Sequence, residues 1–498
     1  MFAPVFDFAI IGGGIIGAAI ARDAAGRGLR VFLCEAGDLG GGASSATNKV
    51  VHGNLKYLEG LKLGALGEAV AEREILMGSA PHLVRPCRFI LPHHRRQWPR
   101  WALSLGLFAA DRLARRTLPA SRRVDLQAEG AHGALKPEFE VAFAFSDCQA
   151  DDARLVVLNA IDARTHGASI HPRVRAIVAE REGERWRLSL ESTVTGERFA
   201  ILAEALVNAA GAWAGEVLDH VIHSDQRVRV RLSKRSSIVV RRIGGDGAYA
   251  LPNSDGEIVY CLSYGRDLMV IGAGPGRAVS DPAAAVEPHE VAYLLDVAGQ
   301  YFERPPEAAD VVRSFAAVAA LPDDPAATRH DHFIMVDAPP RLAPLVSVFG
   351  GTLTTHRRIA ENVLDRMARV RPVGRPWTAG AVLPGGSLPP TGPDGLGRAL
   401  AAAYPFVSQE HARRLAGAYG TRAQTILSGA RSAADLGVRF GADLTEAEVN
   451  FLKSEEWAMT AEDVLWRRSK LGFVLSSAEA ADLEGWMTSR PVTAMAAI

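Results

Sequence analysis

The feature that most constrains this chain is a glycine-rich turn between a predicted strand and a predicted helix near the N-terminus. Residues 6–11 (FDFAII) are mostly apolar and lead directly into Gly12-x-Gly14-x-x-Gly17. Apolar residues then recur at helical spacing, and a second apolar run, residues 30–34, ends at Glu35. This order of strand, turn, helix and strand predicts a βαβ unit and therefore a parallel sheet.

Each glycine of this turn meets a separate requirement of a dinucleotide site. Gly12 permits the tight turn, Gly14 lets the backbone approach a diphosphate, and Gly17 lets the helix pack against the strand. The helix N-terminus offers free N–H groups and partial positive charge to the phosphates. Glu35 lies where a carboxylate can accept hydrogen bonds from both ribose hydroxyls. Dinucleotide binding is therefore predicted over the alternative of a glycine-rich packing turn.

The spacing of the later strands favours FAD over NAD. Further buried strands are predicted far along the chain, at 205–208 and 345–349, which fits a split FAD domain with an insertion. Gly350-Gly351 precedes a predicted helix, 354–367, whose N-terminus could stabilise a reduced flavin, although a simple helix-start turn is the alternative. Alternating stretches around 186–190 and 227–240 suggest a second sheet domain inserted into the first.

The remaining segments are predicted to be structural. Residues 371–395 are dense in proline and glycine and predict a linker. The chain beyond is helical, with Thr445-x-x-Glu448 as a candidate capping box. Asp151-Asp152 resembles a catalytic carboxylate pair, but the following pattern favours a capped helix start.

Composition and motif content exclude several classes of function. With 56 Lys+Arg against 56 Asp+Glu, the chain lacks the basic field that bulk nucleic-acid binding needs. The four cysteines form no CxxC pair, so neither a disulfide framework nor a zinc site is predicted. Residues 330–332 (HDH) and 93–94 (HH) lack metal-ligand spacing, and no metal is predicted. No hydrolase elbow or Walker-type loop occurs.

The sequence predicts a cytoplasmic protein, with one segment that leaves a peripheral position at the inner face of the membrane open. The N-terminus lacks a basic region, and no apolar run approaches the ~20 residues of a spanning helix. Residues 85–123 are unusually basic and contain Trp101, Leu105, Phe108 and Leu113. These residues predict either an interfacial amphipathic helix or an ordinary helix packed on the second sheet domain.

Long motifs in the chain resemble those of the FAD-dependent glycerol-3-phosphate dehydrogenase family, of the aerobic type. They extend nearly from end to end and are specific to that family. The matching segments are FAIIGGGIIGAAIARDAAGRG (8–28), GASSATNKVVHGNLKYLEG (42–60), FSDCQADDARLVVLNAIDA (145–163), ALVNAAGAW (205–213), LVSVFGGTLTTHRRIAE (345–361) and EEWAMTAEDVLWRRSKLG (455–472).

The resemblance implies an α/β (α+β) architecture with a split Rossmann-like FAD-binding domain, an inserted antiparallel-sheet capping domain and a C-terminal helical domain. The expected limits are 1–85 plus 140–225 plus 335–372 for the FAD-binding domain, 86–139 plus 226–334 for the capping domain, 373–395 for the linker and 396–498 for the helical domain.

The resemblance also implies the residues that contact the cofactor. FAD contacts carry over onto matching positions, with Trp213 beside the diphosphate region and Thr352 near the flavin pyrimidine. The expected contacts are Gly12, Gly14, Gly17, Glu35, Ser44, Ser45, His52, Gly53, Val174, Gly211, Trp213, Gly351, Thr352 and Thr354. His52 lies against the flavin, while Lys56, Tyr57 and Arg329 are the expected substrate contacts.

The substrate site departs from the family pattern. Lys56 replaces a substrate-binding arginine, Ser237 replaces a histidine near the reacting carbon, and Ala319 replaces a phosphate-binding arginine. Thr352 stands where the family has a lysine. Serine cannot act alone as a base at neutral pH, and alanine offers a phosphate nothing. Groups near these segments that could substitute are His330, His332, Arg235 and Arg266.

The predicted function is oxidation of glycerol 3-phosphate to dihydroxyacetone phosphate, or of a related polyol phosphate, by hydride transfer to flavin. The resemblance implies that electrons pass to quinone, or to oxygen as in the oxidase branch. Two alternatives stay open: oxidation of a different small alcohol or amine, and a catalytically silent flavin-binding paralogue. The expected partners are the small substrate and quinone or another electron acceptor, with a membrane surface and a homodimer left open and no nucleic acid.

Overall fold

The structure is a computed structural model that describes residues 3–52, 63–93, 99–112, 117–127, 134–224, 228–244, 247–265, 267–274, 276–323 and 332–490. The described strands are β1 (Val5–Ile11), β2 (Val31–Glu35), β3 (Val50–Val51), β4 (Val84–Pro92), β5 (Arg122–Asp125), β6 (Val141–Ala150), β7 (Ser169–Pro172), β8 (Val174–Glu182), β9 (Arg185–Ser192), β10 (Arg198–Asn208), β11 (Val230–Arg241), β12 (Ala248–Pro252), β13 (Ile258–Tyr264), β14 (Leu268–Ala273), β15 (Arg277–Val279), β16 (Val311–Pro322), β17 (His332–Asp337), β18 (Leu345–Gly350), β19 (Arg439–Gly441) and β20 (Leu444–Thr445).

The described α-helices are α1 (Ile15–Gly26), α2 (Leu63–Ser79), α3 (Arg100–Ala110), α4 (Asp152–Thr165), α5 (Ala214–Glu216), α6 (Pro288–Tyr301), α7 (His356–Met367), α8 (Gly392–Ala403), α9 (Gln409–Tyr419), α10 (Ala423–Leu427), α11 (Glu446–Glu456) and α12 (Ser477–Ser489). Two π-helical segments, Val217–Ile222 and Asp463–Arg468, interrupt the regular pattern. In the part of the chain that the structure describes, no helix combines the length and apolarity needed to cross a bilayer.

The first sheet is the parallel sheet predicted from the glycine-rich turn. Its strands lie in the order β17-β18-β10-β1-β2-β7, and β1 pairs in parallel with both β10 and β2. Helices α1, α4 and α7 bury their apolar sides on this sheet, with Ile20, Leu158 and Val363 fully buried in one core. The chain continues from β1 to β2 on one side, and β10 lies on the other side of β1. The carboxyl end of β1 is therefore at a switch point of the strand order, where α/β sheets form a crevice that binds ligands.

The suggestion from alternation that residues 186–190 belong to the second sheet domain is wrong, although the predicted limits of the FAD-binding domain, 140–225, already include them. They form β9, which pairs antiparallel with β10 and extends the first sheet together with β8. Alternation in the sequence shows which face of a strand a side chain occupies, but it does not identify the neighbouring strand. The pairing of β9 with β10 could therefore be seen only in the fold. Conversely, β6 hydrogen-bonds in the second sheet, although the predicted limits group residues 141–150 with the FAD-binding domain. The domain limits stay a prediction.

The second sheet is mainly antiparallel and stands over the first. Its order is β15-β11-β14-β13-β12-β4-β6-β3, with β16 paired to β11 and β5 to β6. One face packs on α6 through residues such as Ile238 and Leu294. The other face carries Phe89, Phe145 and Tyr260, which pack with Val50 from the segment before His52. The cofactor-facing side of this sheet is therefore the second of these faces.

The predicted linker packs closely against the first sheet domain. Trp377 donates its indole N–H to the carbonyl of Asp23 at 3.1 Å, and Arg22 lies 5.1 Å from the Trp377 ring centroid. A Cβ at Gly26 would lie 2.1 Å from the Trp377 ring. Only glycine therefore leaves room for the tryptophan at this position of α1. These contacts fix the path of the chain towards the C-terminal helices.

The C-terminal helices have their own core and join the first sheet domain through buried ion pairs. Arg154 of α4 pairs with Glu456 of α11, and Arg468 pairs with Asp38 in the loop after β2. The predicted capping box is confirmed in one half: Thr445 accepts from the Glu448 backbone N–H. The Glu448 carboxylate instead accepts from Arg414 and from the Tyr419 hydroxyl, both at 2.6 Å.

Candidate active site

The glycine-rich turn at the end of β1 has the shape that a dinucleotide diphosphate requires. Gly12 has φ +114°, and a Cβ there would lie 2.4 Å from the Ala209 carbonyl oxygen. A Cβ at Gly17 would lie 1.9 Å from the Gly12 carbonyl oxygen, whereas one at Gly14 would meet only the Ser44 hydroxyl, at 3.1 Å. Two glycines are thus required by packing, and Gly14 keeps open the approach to the N-terminus of α1.

The loop that follows β2 is held in place from both ends. The Glu35 carboxylate accepts from the backbone N–H groups of Gly13, at 2.7 Å, and Gly37, at 2.8 Å. Burial raises the pKa of Glu35, and these two hydrogen bonds act in the opposite direction. Each carboxylate oxygen keeps a second lone pair with which to accept from a ribose hydroxyl. Three residues later, Asp38 receives a bidentate contact from Arg468 at 2.7 and 2.8 Å.

Other predicted FAD contacts gather around the same turn. Ser44 accepts from the Ile15 backbone N–H at 2.9 Å, at the start of α1. Ser45 and Trp213 line a cavity of about 320 Å³, and Gly211 begins the turn that carries Trp213. Val174 is buried at the start of β8, directly after β7, which pairs with the Glu35 end of β2. The fold therefore brings these predicted residues to one crevice, although their roles stay predictions.

A second turn reaches this crevice from β18. Gly351 has φ +97°, and a Cβ there would lie 2.9 Å from Ile359 and 3.0 Å from Ile16, so α1 and α7 approach closely. The Thr354 hydroxyl accepts from the His52 backbone N–H at 3.1 Å. Thr352 lies in the same turn, with its hydroxyl 3.0 Å from that of Thr355. The 350–355 turn and His52 are thus fixed to one another.

His52 lies between the two sheets. Its ring centroid is 4.8 Å from that of Tyr260, which belongs to β13 of the second sheet. Asn48 Nδ2 lies 3.1 Å from His52 Nε2. Because an amide N–H can only donate, this contact makes Nε2 the acceptor and leaves the proton of neutral His52 on Nδ1. His52 is therefore an oriented side chain in the crevice.

A buried ion pair supports the segment before His52. Lys49 Nζ lies 2.6 Å from Asp152 Oδ2, and Asp152 also accepts from the Thr47 backbone and hydroxyl. Burial would raise the pKa of Asp152, but the charges of Lys49 and Lys470 and these hydrogen bonds hold it below its ordinary value. Asp151 caps α4 by accepting from the Arg154 backbone N–H, as predicted. The two aspartates are structural and do not form a catalytic pair.

Two of the positions that depart from the family pattern, Ser237 and Ala319, lie on the cofactor-facing side of the second sheet. Ser237 stands in register with Gly272, which in turn is in register with Tyr260, so the three share one face. Ala319 is on the same face, four residues along β16 from Phe315, the register partner of Ser237. A Cβ at Gly272 would lie 2.1 Å from the Ser237 hydroxyl oxygen. This part of the face therefore combines the small residues Ser237, Gly272 and Ala319 with the ring of Phe315, which is in register with Ser237.

Four predicted site residues, Gly53, Lys56, Tyr57 and Arg329, lie outside the described residues. Tyr260, Asn48 and Lys49 were missed in the sequence as parts of the site. Asn48 and Lys49 fall inside a matched motif, between Ser45 and His52, and that position was the available signal. No motif in the sequence around Tyr260 indicates a site residue, because it is the strand register of the second sheet that brings β13 over His52.

The residues present fit FAD. The N–H groups at the N-terminus of α1 suit a diphosphate, and the Glu35 carboxylate suits a ribose. The glycine turn at 350–351 leaves room for a flat ring system. The residues that would hold the cofactor are Gly12, Gly14, Gly17, Glu35, Ser44, Gly351 and Thr354.

Comparisons with known proteins agree with this geometry. Residues 7–366 match the family profile "FAD dependent oxidoreductase", and residues 377–485 match "C-terminal domain of alpha-glycerophosphate oxidase". The chain is 43% identical to a glycerol-3-phosphate dehydrogenase of Pseudomonas aeruginosa, over 98% of this chain and 96% of that protein. It is 38% identical to a D-erythritol 1-phosphate dehydrogenase of Brucella abortus, over 98% and 99%.

A solved structure shares the fold. It is the glycerol-3-phosphate dehydrogenase of Bacillus halodurans complexed with FAD, with a TM-score of 0.73 and 22% identity. The match covers 99% of this chain and 96% of that one.

Proposed function

The chain belongs to the family of FAD-dependent oxidoreductases and, within it, to the glycerol-3-phosphate dehydrogenase group, and we propose that it oxidises a secondary alcohol of a polyol phosphate. Glycerol 3-phosphate, giving dihydroxyacetone phosphate, is the first candidate substrate, and D-erythritol 1-phosphate, named for a relative, is the second. The observation that carries the proposal is the convergence of the two glycine turns and His52 beneath the face of the second sheet that carries Tyr260 and Ser237.

The chain's own residues would divide the work as follows. FAD, when bound, would supply the acceptor for a hydride from the alcohol carbon, and the hydroxyl proton would be released as the carbonyl forms. The turn at Gly12–Gly17 and the N-terminus of α1 would bind its diphosphate, and Glu35 its ribose. The Thr354 hydroxyl fixes the backbone of His52, and Asn48 orients its ring. The Tyr260 side of the second sheet would exclude water above the reacting carbon.

The direct test is anaerobic flavin reduction in the reconstituted protein. We expect glycerol 3-phosphate or D-erythritol 1-phosphate to bleach the flavin absorbance, and glycerol and erythritol at equal concentration to leave it unchanged. The unphosphorylated polyols are the matched control, because they differ from the substrates only in the phosphate. Bound FAD that neither phosphorylated polyol reduces would contradict the proposal.

A second candidate is oxidation of a different small alcohol or amine. The supporting observation is that Ser237 and Ala319 occupy the two described positions of this face where the family resemblance implies a histidine and an arginine. Reduction by an unphosphorylated alcohol or an amine, with none by polyol phosphates, would favour this candidate.

We also propose that the protein passes its electrons to quinone at a membrane surface. Helix α3 supports this: Trp101 is 72% exposed, Leu105 59% and Phe108 53%, while Leu107 is the side chain that α3 buries. The spacing of the three exposed residues puts them on one side of the helix. The Arg112 guanidinium lies 3.8 Å from the Phe108 ring centroid, so a cation accompanies the apolar side. This arrangement suits the interface of an anionic bilayer.

Replacing two of these side chains should release the protein from lipid. Each exposed large apolar side chain that enters the interface contributes up to ~1.5–3 kcal/mol. We therefore expect Trp101→Ser with Leu105→Ser to lower binding to anionic vesicles at least about tenfold in flotation at low salt. Val194→Ser is the matched control, since Val194 is 59% exposed on another surface. Equal flotation of all three proteins, or none by the wild type, would refute membrane binding through α3.

A further inference from the structure

Arg235 is an arginine on the cofactor-facing side of the second sheet that has no partner among the described residues. Side chains alternate along a strand, so both neighbours of Arg235 on β11 point to the face opposite its own. Lys234 is buried towards α6, where its ammonium lies 2.9 Å from Glu290 and 2.8 Å from the Ala285 carbonyl oxygen. Arg235 must therefore share the other face with Ser237, and hence with Tyr260, which lies over His52.

The surroundings of Arg235 leave space for a ligand. In register, Arg235 stands opposite Ala317, and the next residue pair on this face is Ser233 with Ala319. A Cβ at Gly276 would lie 2.5 Å from the Ser233 hydroxyl oxygen and 3.8 Å from Arg235 Nε, so the guanidinium extends over a glycine. Arg235 is thus bordered on this face by the small pair Ser233 and Ala319 in one direction, and by Ser237 with the Phe315 ring in the other.

The charge of Arg235 is not neutralised within the described part of the chain. The side chain is exposed, and the structure gives it no hydrogen bond or ion pair there. Lys234, one residue earlier, shows the contrast, because its ammonium is fully paired. A guanidinium with five free donors, beside an open strip of small residues, suits the bidentate binding of a phosphate.

We propose that Arg235 is a binding residue for the phosphate of the substrate. The inference rests on the proposed polyol phosphate activity and names the residue that gives it specificity. Arg235 and Ser237 are two residues apart on one strand, which separates their Cα atoms by about 7 Å. An anionic group on Arg235 therefore lies within one short polyol of the site beneath Ser237 and Tyr260. Arg235 supplies from β11 the charge that Ala319 does not supply from β16.

Flavin reduction kinetics test this assignment. We expect Arg235→Gln to raise the half-saturating concentration of the phosphorylated polyol about 100-fold, while the limiting rate of reduction changes less than about threefold. Arg235→Lys should recover part of the loss, because lysine provides a point charge without the fork. Arg231→Gln is the matched control: Arg231 is also exposed on β11 but about 13 Å further along the strand. Arg231→Gln should behave as wild type.

A second measurement separates this inference from the proposed function. Inorganic phosphate is titrated into the FAD-loaded proteins, and its binding is followed by the shift of the flavin spectrum. We expect saturable binding to the wild type and to Arg231→Gln, and at least about 30-fold weaker binding to Arg235→Gln. Equal phosphate binding and equal half-saturation in wild type and Arg235→Gln would overturn the assignment while leaving polyol phosphate oxidation intact. If no polyol phosphate reduces the wild type, the activity is refuted, and the phosphate titration alone decides the role of Arg235.

Discussion

Gly17→Ala is expected to abolish stable flavin binding. The added methyl group would lie 1.9 Å from the Gly12 carbonyl oxygen, and backbone on both sides prevents relief by a side-chain movement. Moving α1 away from β1 displaces the N–H groups that face the diphosphate. We expect a loss of about 3 kcal/mol or more, which corresponds to at least roughly 100-fold in the dissociation constant of FAD. Fluorescence titration of the apoprotein with FAD measures it.

Gly78→Ala is the matched control for this substitution. Gly78 lies in helix α2 with no heavy atom within 4 Å of the position of an added Cβ. Alanine at such a site should leave FAD affinity unchanged and stabilise the protein by about 0.5–1 kcal/mol. If Gly17→Ala binds FAD as tightly as Gly78→Ala does, the close approach of helix and strand is not what creates the diphosphate site.

Glu456→Gln is expected to destabilise the protein more than any surface substitution. Glu456 is fully buried and accepts from Arg154, with one contact at 3.0 Å, and from Arg422 at 2.6 Å. The amide removes the charge that compensates these guanidinium groups, of which that of Arg154 is fully buried. Breaking such a buried pair costs about 3–5 kcal/mol. We expect the unfolding temperature at pH 7 to fall by several degrees.

Glu455→Gln provides the comparison at the neighbouring position. Glu455 pairs with Arg164 at 3.0 Å, but both side chains are more than a third exposed. An ion pair of this kind contributes about 0–1 kcal/mol, so the unfolding temperature should barely change. Equal stability of the two variants would show that the buried pair does not hold the C-terminal helices to the first sheet domain.

The Glu456 pair also predicts a pH dependence. Burial alone would raise the pKa of Glu456, but the charges of Arg154 and Arg422 lower it from 4.5 to about 2. A carboxylate whose pKa is lower in the folded state stabilises that state fully above its unfolded pKa. This stabilisation is lost as the pH falls from about 4.5 towards 2. The stability difference between wild type and Glu456→Gln should therefore shrink over this range in denaturant titrations.

The substrate side of the crevice combines retained and replaced elements. The described positions predicted to contact the cofactor, from Gly12 to Thr354, lie around one crevice, and their contacts with FAD stay a prediction, while the family itself is confirmed by the comparisons. The face above them has lost a histidine at Ser237 and an arginine at Ala319, relative to the pattern in the resembling family. The unpaired Arg235 on the same face is the described group best placed to restore a positive charge.

Local sequence was sufficient for the elements whose chemistry is contained in a short segment. The turn from Gly12 to Gly17, Glu35 at the end of β2 and the Asp151 cap of α4 were all predictable, because glycine conformation, hydrogen-bonding groups and apolar periodicity act between residues close in the chain. The parallel sheet followed from the same local order. The motifs identified the family, and through it the FAD cofactor.

Tertiary structure alone decided which distant residues meet. The segment 186–190 joins the first sheet, Tyr260 lies over His52, and Arg468 reaches Asp38 across 430 positions of sequence. These contacts depend on strand register and domain packing, which many sequences with the same local pattern could satisfy differently. The side of the sheet that Arg235 occupies was settled in the same way, by the register of β11 between β14 and β16.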